Sequence, residues 1–549
     1  MLKPSPNYEI PIETSQIARA SFPKGNIFMQ MRDELGTIFT NEEFADLYPD
    51  LGQPAIHPWR LALITVMQYV ENLTDRQAAE AVRGRIDWKY ALGLKLDDSG
   101  FNYSVLSEFR QRLLDGGKEA LLLERLLECF EGKNLLKGKQ IQRTDATHVI
   151  AKIRCMNRLE MVGETMRRAL NELAKIAPEW LKRELQPEWI ERYGKRFESY
   201  RLPKSESKKQ ALAQSVGQDG HQLLQAANRE GTPPEVRESA CLETLRGIWV
   251  QQYYLEGDKV HWRTKKEWGQ PPSRKMIASP DEPDARYGSK GSAYWTGYKI
   301  HLTESCDSEQ PRLVTHVETT VATTNDFQVT EKIQDDLATK GRAPEKHLVD
   351  GGYVTLEVLI KSEEKGIDLI GPIARNHSWQ AKSDGAYDHT RFQIDWQAMQ
   401  ATCPEGKVSV ACSKGRTRAG GSNVHFHFDI QDCAACGARS RCTRAKKAGR
   451  QLCILPQEQY QRLQEARQRQ ETEPFKLLYK ARAGAEGTIS QAINSQGARR
   501  ARYRGLARMH LQHLATAAAI NFTRVADWLS GRRPETTRIT PFLALASQA

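Results

Sequence analysis

Residues 140–150 read Gln140-Ile141-Gln142-Arg143-Thr144-Asp145-Ala146-Thr147-His148-Val149-Ile150. The run alternates weakly and ends in β-branched residues, which is the pattern of a strand, and it carries an acid, Asp145. Strand signals return at Tyr298-Lys299-Ile300-His301-Leu302, from Arg312 to Val321, at Lys346-His347-Leu348-Val349-Asp350 and at Ile367-Asp368-Leu369-Ile370-Gly371-Pro372. Between the last two, residues 354–365 predict a helix, so the core is α/β.

Upstream, residues 1–137 read as helical. Trp59 to Met67 is apolar on more than one face, and Thr74 with Gln77 three residues on has the form of a capping box. Ser107-Glu108-Phe109-Arg110-Gln111-Arg112 puts basic side chains on a helix that fits either a recognition element or a solvated face. Residues 156–284 interrupt the strand pattern with helical, highly charged sequence and read as an insertion. Residues 384–455 are rich in Gly, Ser, Cys and basic residues, with alternation at Val424-His425-Phe426-His427-Phe428, and read as a small β insertion. From residue 456 the chain is helical, basic and Gln-rich. The α/β core is therefore predicted in three pieces, 138–155, 285–383 and 456–549.

The 549 residues correspond to three or four domains, and 39% hydrophobic with 27% charged residues is the balance of a globular protein rather than a disordered chain. No apolar run reaches the roughly 20 residues of a bilayer-spanning helix, and the start, Met1-Leu2-Lys3-Pro4-Ser5-Pro6, lacks a signal-peptide core, so a cytoplasmic location is expected. The net charge of +12 is concentrated: residues 401–549 hold 25 Lys and Arg against 10 Asp and Glu. A basic third of this size calls for an acidic partner, and nucleic acid is the commonest one.

Asp350 ends a strand and is followed by Gly351-Gly352-Tyr353, which lets backbone and ligand approach closely. Taken singly, Asp145 and Asp350 also fit turn formers or helix caps. In Tyr479-Lys480-Ala481-Arg482-Ala483-Gly484-Ala485-Glu486 a continuous helix would place Tyr479, Arg482 and Glu486 on one face, so that Arg482 orients Glu486 or holds a phosphate. Gly484 and Gly487 each weaken a helix by about 1 kcal/mol relative to Ala, a cost with no structural reason in the sequence. Two aspartates and a glutamate are what two hard cations need to share a phosphodiester, because Mg²⁺ takes few protein ligands and keeps waters and substrate oxygens.

With these residues the chain resembles the insertion-sequence DDE transposases, which have an RNase H-like catalytic core. Thr144-Asp145-Ala146-Thr147 resembles the motif of the first acid, Asp350-Gly351-Gly352-Tyr353 that of the second, and Tyr479, Arg482 and Glu486 a Tyr-x-x-Arg-x-x-x-Glu signature around the third. His57-Pro58-Trp59 through Arg112-Leu113 is similar to the family's helical N-terminal domain, and Ala498 to Gly505 to its basic tail. The signature normally continues with Lys seven residues after the Glu, where this chain has Ile493.

The resemblance implies an RNase H-like mixed sheet flanked by helices, with an all-helical N-terminal domain, a helical insertion and the small Cys-rich β insertion. It implies that Asp145, Asp350 and Glu486 hold Mg²⁺ or Mn²⁺, with Tyr479 and Arg482 as further catalytic residues. It also implies contacts to double-stranded DNA, both element ends and target, from Arg110, Arg112, Arg499, Arg500, Arg502 and Arg504, and a homodimer that pairs two ends in a bacterial-type cytoplasm. The implied activity is end cleavage followed by transfer of the 3′-hydroxyl into target DNA. Its rivals are a plain metal-dependent endonuclease on the same core and a non-catalytic DNA-binding descendant.

Ten cysteines without a secretory segment are weighed first as metal ligands. Cys433-Ala434-Ala435-Cys436 followed by Cys442 can meet at one tetrahedral zinc, with Cys403 as the first choice of fourth ligand and Cys412, Cys453 or His427 behind it. The alternative is a zinc-free loop with free thiols. His148 and His301 are expected to be packing residues or supports behind the metal ligands, because a two-metal mechanism needs no histidine base.

Overall fold

The computed structural model describes residues 1–549 except 3–7, 139, 265–268, 270, 308, 417–420, 534–544 and 546–549. Strand β1 (Ile141–Ile150) is central to a six-stranded mixed sheet. On one side it pairs antiparallel with the long β2 (Ala293–Ser305), whose other edge carries β3 (Val314–Val321) and the short strand Arg286–Lys290. On the other side it runs parallel to β4 (Lys346–Val349), which is followed by parallel β5 (Asp368–Ile370). All the strands read from the sequence are present. The two parallel steps are built as parallel pairs must be, with helices crossing over: α3 (Phe327–Thr339) precedes β4 and α4 (Leu356–Glu364) joins β4 to β5.

The helices ahead of the sheet include α1 (Pro58–Val70) and α2 (Ser104–Asp115), and the capping box of Thr74 and Gln77 is formed. Later in the chain come α5 (Gly484–Asn494) and α6 (Leu506–Leu529). Helix α6 is buried on every face over residues 511–522, with Leu514, Ala518 and Phe522 beside the polar Gln512, His513 and Asn521. It packs on both α1 and β3, so the N-terminal helices and one face of the sheet share a single hydrophobic core. Edge strand β3 is capped by α6 as well: Asn521 accepts from the Val314 N–H at 2.7 Å and donates to the Val314 carbonyl at 2.8 Å. The opposite face of the sheet has its own core beneath α3 and α4, around Ile333, Leu337, Val349 and Tyr353.

Two further segments, residues 156–284 and 384–455, carry separate cores. The helices Arg158–Ile176, Glu206–Ala227 and Ala240–Gln252, with the hairpin Tyr253–Glu256 and Lys259–Trp262, enclose a cluster that includes Met166, Trp189, Leu223 and Trp249. The Cys-rich stretch holds a three-stranded antiparallel sheet, Ala411–Arg416, Ser422–His427 and Gln451–Ile454, over Phe392, Phe426 and Leu452. No helix among the described residues is long and apolar enough to cross a membrane.

Candidate active site

The register of the sheet brings the two aspartates together. The parallel ladder between β1 and β4 ends with Thr144 opposite Val349, so the next residue on each strand is Asp145 and Asp350. Asp145 lies within β1 because the antiparallel ladder to β2 continues beyond it, opposite Leu302. Asp350 lies just past β4, where its Oδ1 accepts from the Gly351 N–H at 2.7 Å and starts the turn Gly351–Tyr353. The Asp145 Oδ1 likewise accepts from the Ala146 N–H at 2.8 Å. Each aspartate thus has one oxygen fixed by backbone and a second oriented by that bond.

The third acid arrives from α5. Arg482 donates from Nη1 to Asp145 Oδ2 at 3.1 Å and from Nη2 to Glu486 Oε1 at 3.2 Å, so one guanidinium spans two acids that lie 341 positions apart in the chain. Glu486 sits in the first turn of α5, where a negative charge is favoured, and its side chain is 69% exposed and open to a ligand. The Tyr479 ring lies 5.9 Å from the Arg482 Cζ and stacks on Phe475. A continuous helix from Tyr479 to Glu486 does not form. Helix Glu473–Lys480 gives way to a 3₁₀ turn, Ala481–Ala483, and α5 begins at Gly484. Arg482 keeps its reach because it stands on that turn.

The cause of the break lies beneath it. Arg143, two residues before Asp145 and on the same strand face, donates from Nη1 to the Ala481 carbonyl at 2.5 Å and from Nε to Glu304 Oε1 at 2.7 Å. Its guanidinium rests against Gly484, where a Cβ would overlap it, so the helix-weakening glycine has a steric reason. Glu304 is buried and also accepts from Thr488 Oγ1 at 2.5 Å and Arg524 Nη1 at 2.7 Å. Burial alone would raise its pKa, but Arg524 and Arg143 outweigh burial and hold it below the ordinary value. This network of Arg143, Glu304, Thr488 and Arg524 fixes α5 to the sheet. Sequence reasoning missed it, although Gly484 was its visible trace.

The electrostatics of the site favour an added cation. Burial pushes the Asp145 carboxyl up from its ordinary range and the charge of Asp350 adds to that, against the pull of the Ala146 N–H, Arg482 and Lys290. Burial works against the Arg482 charge, yet Asp145, Tyr479, Asp350 and Glu486 raise its pKa overall. Two adjacent aspartates and an open glutamate are hard oxygen donors of the kind a divalent cation takes, although the three carboxylates do not all bring an oxygen within 4.8 Å of one another in this structure.

The basic residues divide into two groups. Arg110 is only 5% exposed, paired with Asp75 at 2.5 Å and stacked over Tyr503, so the expectation that it faces DNA is not met. Its place follows from α2 itself: Leu106, Phe109 and Leu113 are buried, and position 110 lies on the same stripe. Arg112 donates to the Leu47 carbonyl at 3.0 Å and covers Tyr48, and Arg502 clasps the Leu73 carbonyl at 2.8 Å, Asn72 and the Tyr69 ring. These two are likewise engaged within the protein. Arg499 stands beside the site, donating to Thr147 Oγ1 at 2.9 Å and to His148 Nδ1 at 2.8 Å, while Arg500 and Arg504 are exposed. His148 rests against Trp295, and buried His301 lies between Tyr353 and Thr320, as packing residues do.

In the Cys-rich stretch Cys403, Cys433, Cys436 and Cys442 line one cavity of about 30 Å³. The Cys403 and Cys433 sulfurs each accept a backbone N–H at 3.3 Å, from Lys407 and Arg450. Burial pushes the Cys442 thiol up to about 11, and the neighbouring Cys433, Cys403 and Cys436 contribute to the rise. No three of these sulfurs lie within 4.8 Å of one another.

Two family models match the chain. One described as a transposase DDE domain covers residues 402–526, and one described as a transposase domain (DUF772) covers residues 16–112. The first span contains Glu486 and the four clustered cysteines, and Asp145 and Asp350 lie outside both. No curated protein matches the chain.

Proposed function

We propose that the chain is an insertion-sequence DDE transposase, which cuts double-stranded DNA at the ends of its element and joins the freed 3′-hydroxyls to target DNA. The observation that carries this proposal is the adjacency of Asp145 and Asp350 on neighbouring strands with Glu486 tied to Asp145 through Arg482. The strand order β3-β2-β1-β4-β5, with β2 antiparallel to β1, supports an RNase H-like reading of the core.

Asp145, Asp350 and Glu486 are the residues that would hold two Mg²⁺ or Mn²⁺ ions. When bound, such ions supply the charge that activates an attacking oxygen and stabilises a leaving one. The protein's own part is placement. Backbone N–H groups fix one oxygen of each aspartate, Arg482 holds Asp145 and Glu486 in register, and the Arg143 network holds the turn that carries Arg482. In the first reaction a water oxygen bonds to phosphorus and the strand's 3′-oxygen leaves as a hydroxyl. In the second, that hydroxyl bonds to a target phosphorus and displaces a target 3′-oxygen. Neither reaction needs a covalent enzyme intermediate, so positioning and charge carry them. Arg499, Arg500 and Arg504 extend positive charge from the site along the surface and are our assignment for DNA contact. We further assign Cys403, Cys433, Cys436 and Cys442 to a structural zinc that fastens the insert, and a homodimer to the pairing of two element ends.

Asp350→Asn tests the reading. The variant should bind element-end duplexes as the parent does and cleave them at least ~10³-fold more slowly. Undiminished cutting removes the assignment, and cutting without joining of pre-cleaved ends by the parent protein selects the endonuclease reading.

A further inference from the structure

A second group of metal-ligating side chains lies on the other face of the sheet. Asp145 is paired with Leu302, and Leu302 with Val317, so these three share one face; His316 and Glu318, on either side of Val317, point to the other. There they meet Asp336 of α3, and one ligand atom from each of the three lies within 4.8 Å of the others.

His316 makes this group unusual. Its side chain is 5% exposed, and neither ring nitrogen has a hydrogen-bond partner. A buried polar atom left unsatisfied costs about 1–3 kcal/mol, and such atoms are uncommon in native proteins. The Nε2 stands 3.7 Å from Asp336 Oδ2, too far for a hydrogen bond. It is close to the ~3.4 Å that separates two ligand atoms on one tetrahedral ion with bonds of about 2.1 Å. Lys340, His510, Lys332 and His347 lie near the buried imidazole.

We propose that His316, Glu318 and Asp336 bind one divalent transition-metal ion, distinct from the ions of the catalytic carboxylates, that ties edge strand β3 to helix α3. One imidazole with two carboxylates suits Zn²⁺ or Mn²⁺ and is a poor site for Mg²⁺, which prefers oxygen and water. Lys332 pairs with Glu318 Oε2 at 2.5 Å, but its side chain is 58% exposed, so water can take up the ammonium when a cation displaces it. Asp336, 38% exposed, leaves an entry path.

The test uses the metal-free full chain, dialysed against micromolar Zn²⁺ with millimolar Mg²⁺ present, and counts bound zinc by elemental analysis. Asp336→Asn and His316→Gln should each hold one zinc fewer than the parent, or bind that zinc at least ~10-fold more weakly, and should lose part of the zinc-induced rise in melting temperature. Cys433→Ser should remove a different equivalent, so that its loss adds to that of Asp336→Asn in the double variant. Asp350→Asn should leave the His316 equivalent in place, which separates this site from the catalytic one. Parent stoichiometry in both Asp336→Asn and His316→Gln overturns the proposal. If the buried His316→Gln variant fails to fold, the half-exposed Asp336→Asn decides alone.

Discussion

Gly484→Ala and Gly487→Ala are the same chemical change three residues apart on α5, and the structure gives them opposite signs. Helix propensity alone predicts that each stabilises the chain by up to about 1 kcal/mol. At Gly487 an added Cβ meets nothing within 4 Å, so that gain stands. At Gly484 the Cβ overlaps the Arg143 guanidinium. The end of an arginine usually moves aside cheaply, but this one is buried and held by Glu304 on one side and the Ala481 carbonyl on the other. Moving it leaves buried Glu304 with Arg524 and Thr488 only. Breaking one partner out of a buried charge network costs about 3–5 kcal/mol, and because Arg524 remains the lower end applies. Subtracting the propensity gain leaves Gly484→Ala destabilised by roughly 2 kcal/mol. Urea unfolding of the full chain, followed by tryptophan fluorescence, should lower the midpoint for Gly484→Ala and leave it equal or higher for Gly487→Ala. End cleavage should fall as well, on the order of 10²-fold, because the turn carrying Arg482 shifts. A Gly484→Ala protein as stable as Gly487→Ala would refute the steric argument and with it the role given to Arg143.

Four further outcomes follow from the same geometry. The raised pKa of Asp145 means that protons compete with cations above the pH near 3.9 at which a free aspartate titrates. Mg²⁺-dependent cleavage should therefore fall on acidification from a higher pH than that. Arg482→Gln, which removes a charge that lowers this pKa, should move the acid limb of the pH–rate profile higher still, and an unmoved limb counts against the coupling. The sign for stability is the reverse of the usual carboxylate case: a raised folded pKa contributes stability at low pH that is lost as pH rises through it, so metal-free Asp145→Asn should melt higher than the parent at neutral pH. Arg110→Ala should destabilise the chain by about 3 kcal/mol without changing the salt dependence of DNA binding, whereas Arg504→Ala should leave stability alone and reduce the slope of log K against log salt by about 1. Cys433→Ser, or a strong chelator, should unfold the Cys-rich insert while leaving the sheet intact, as read by proteolysis between residues 384 and 455.

What the sequence discloses and what it conceals divide along the reach of the interactions. Strands β1 to β5 are legible because alternation and β-branching are local properties of a few consecutive residues. The meeting of Asp145 and Asp350 is not local. It depends on a parallel register that 204 intervening residues, a helical segment among them, must allow, and only the chemistry of the two acids and the family resemblance of their motifs pointed to it. Arg110 shows the same division in reverse, since the stripe of Leu106, Phe109 and Leu113 was readable and placed position 110 inward, while charge alone argued outward. Burial of that arginine is possible only because Asp75 and Tyr503, far away in the chain, converge on it. Charged residues at core positions are therefore the places where sequence and structure disagree most, and here they are not incidental. Arg143, Glu304 and Arg524 occupy positions that hydrophobic side chains could fill, and a buried ionic network is weak as a source of stability. What it provides is direction: a guanidinium can hold a carbonyl, a carboxylate and a glycine at fixed places, and those contacts set the 3₁₀ turn on which Arg482 stands between Asp145 and Glu486.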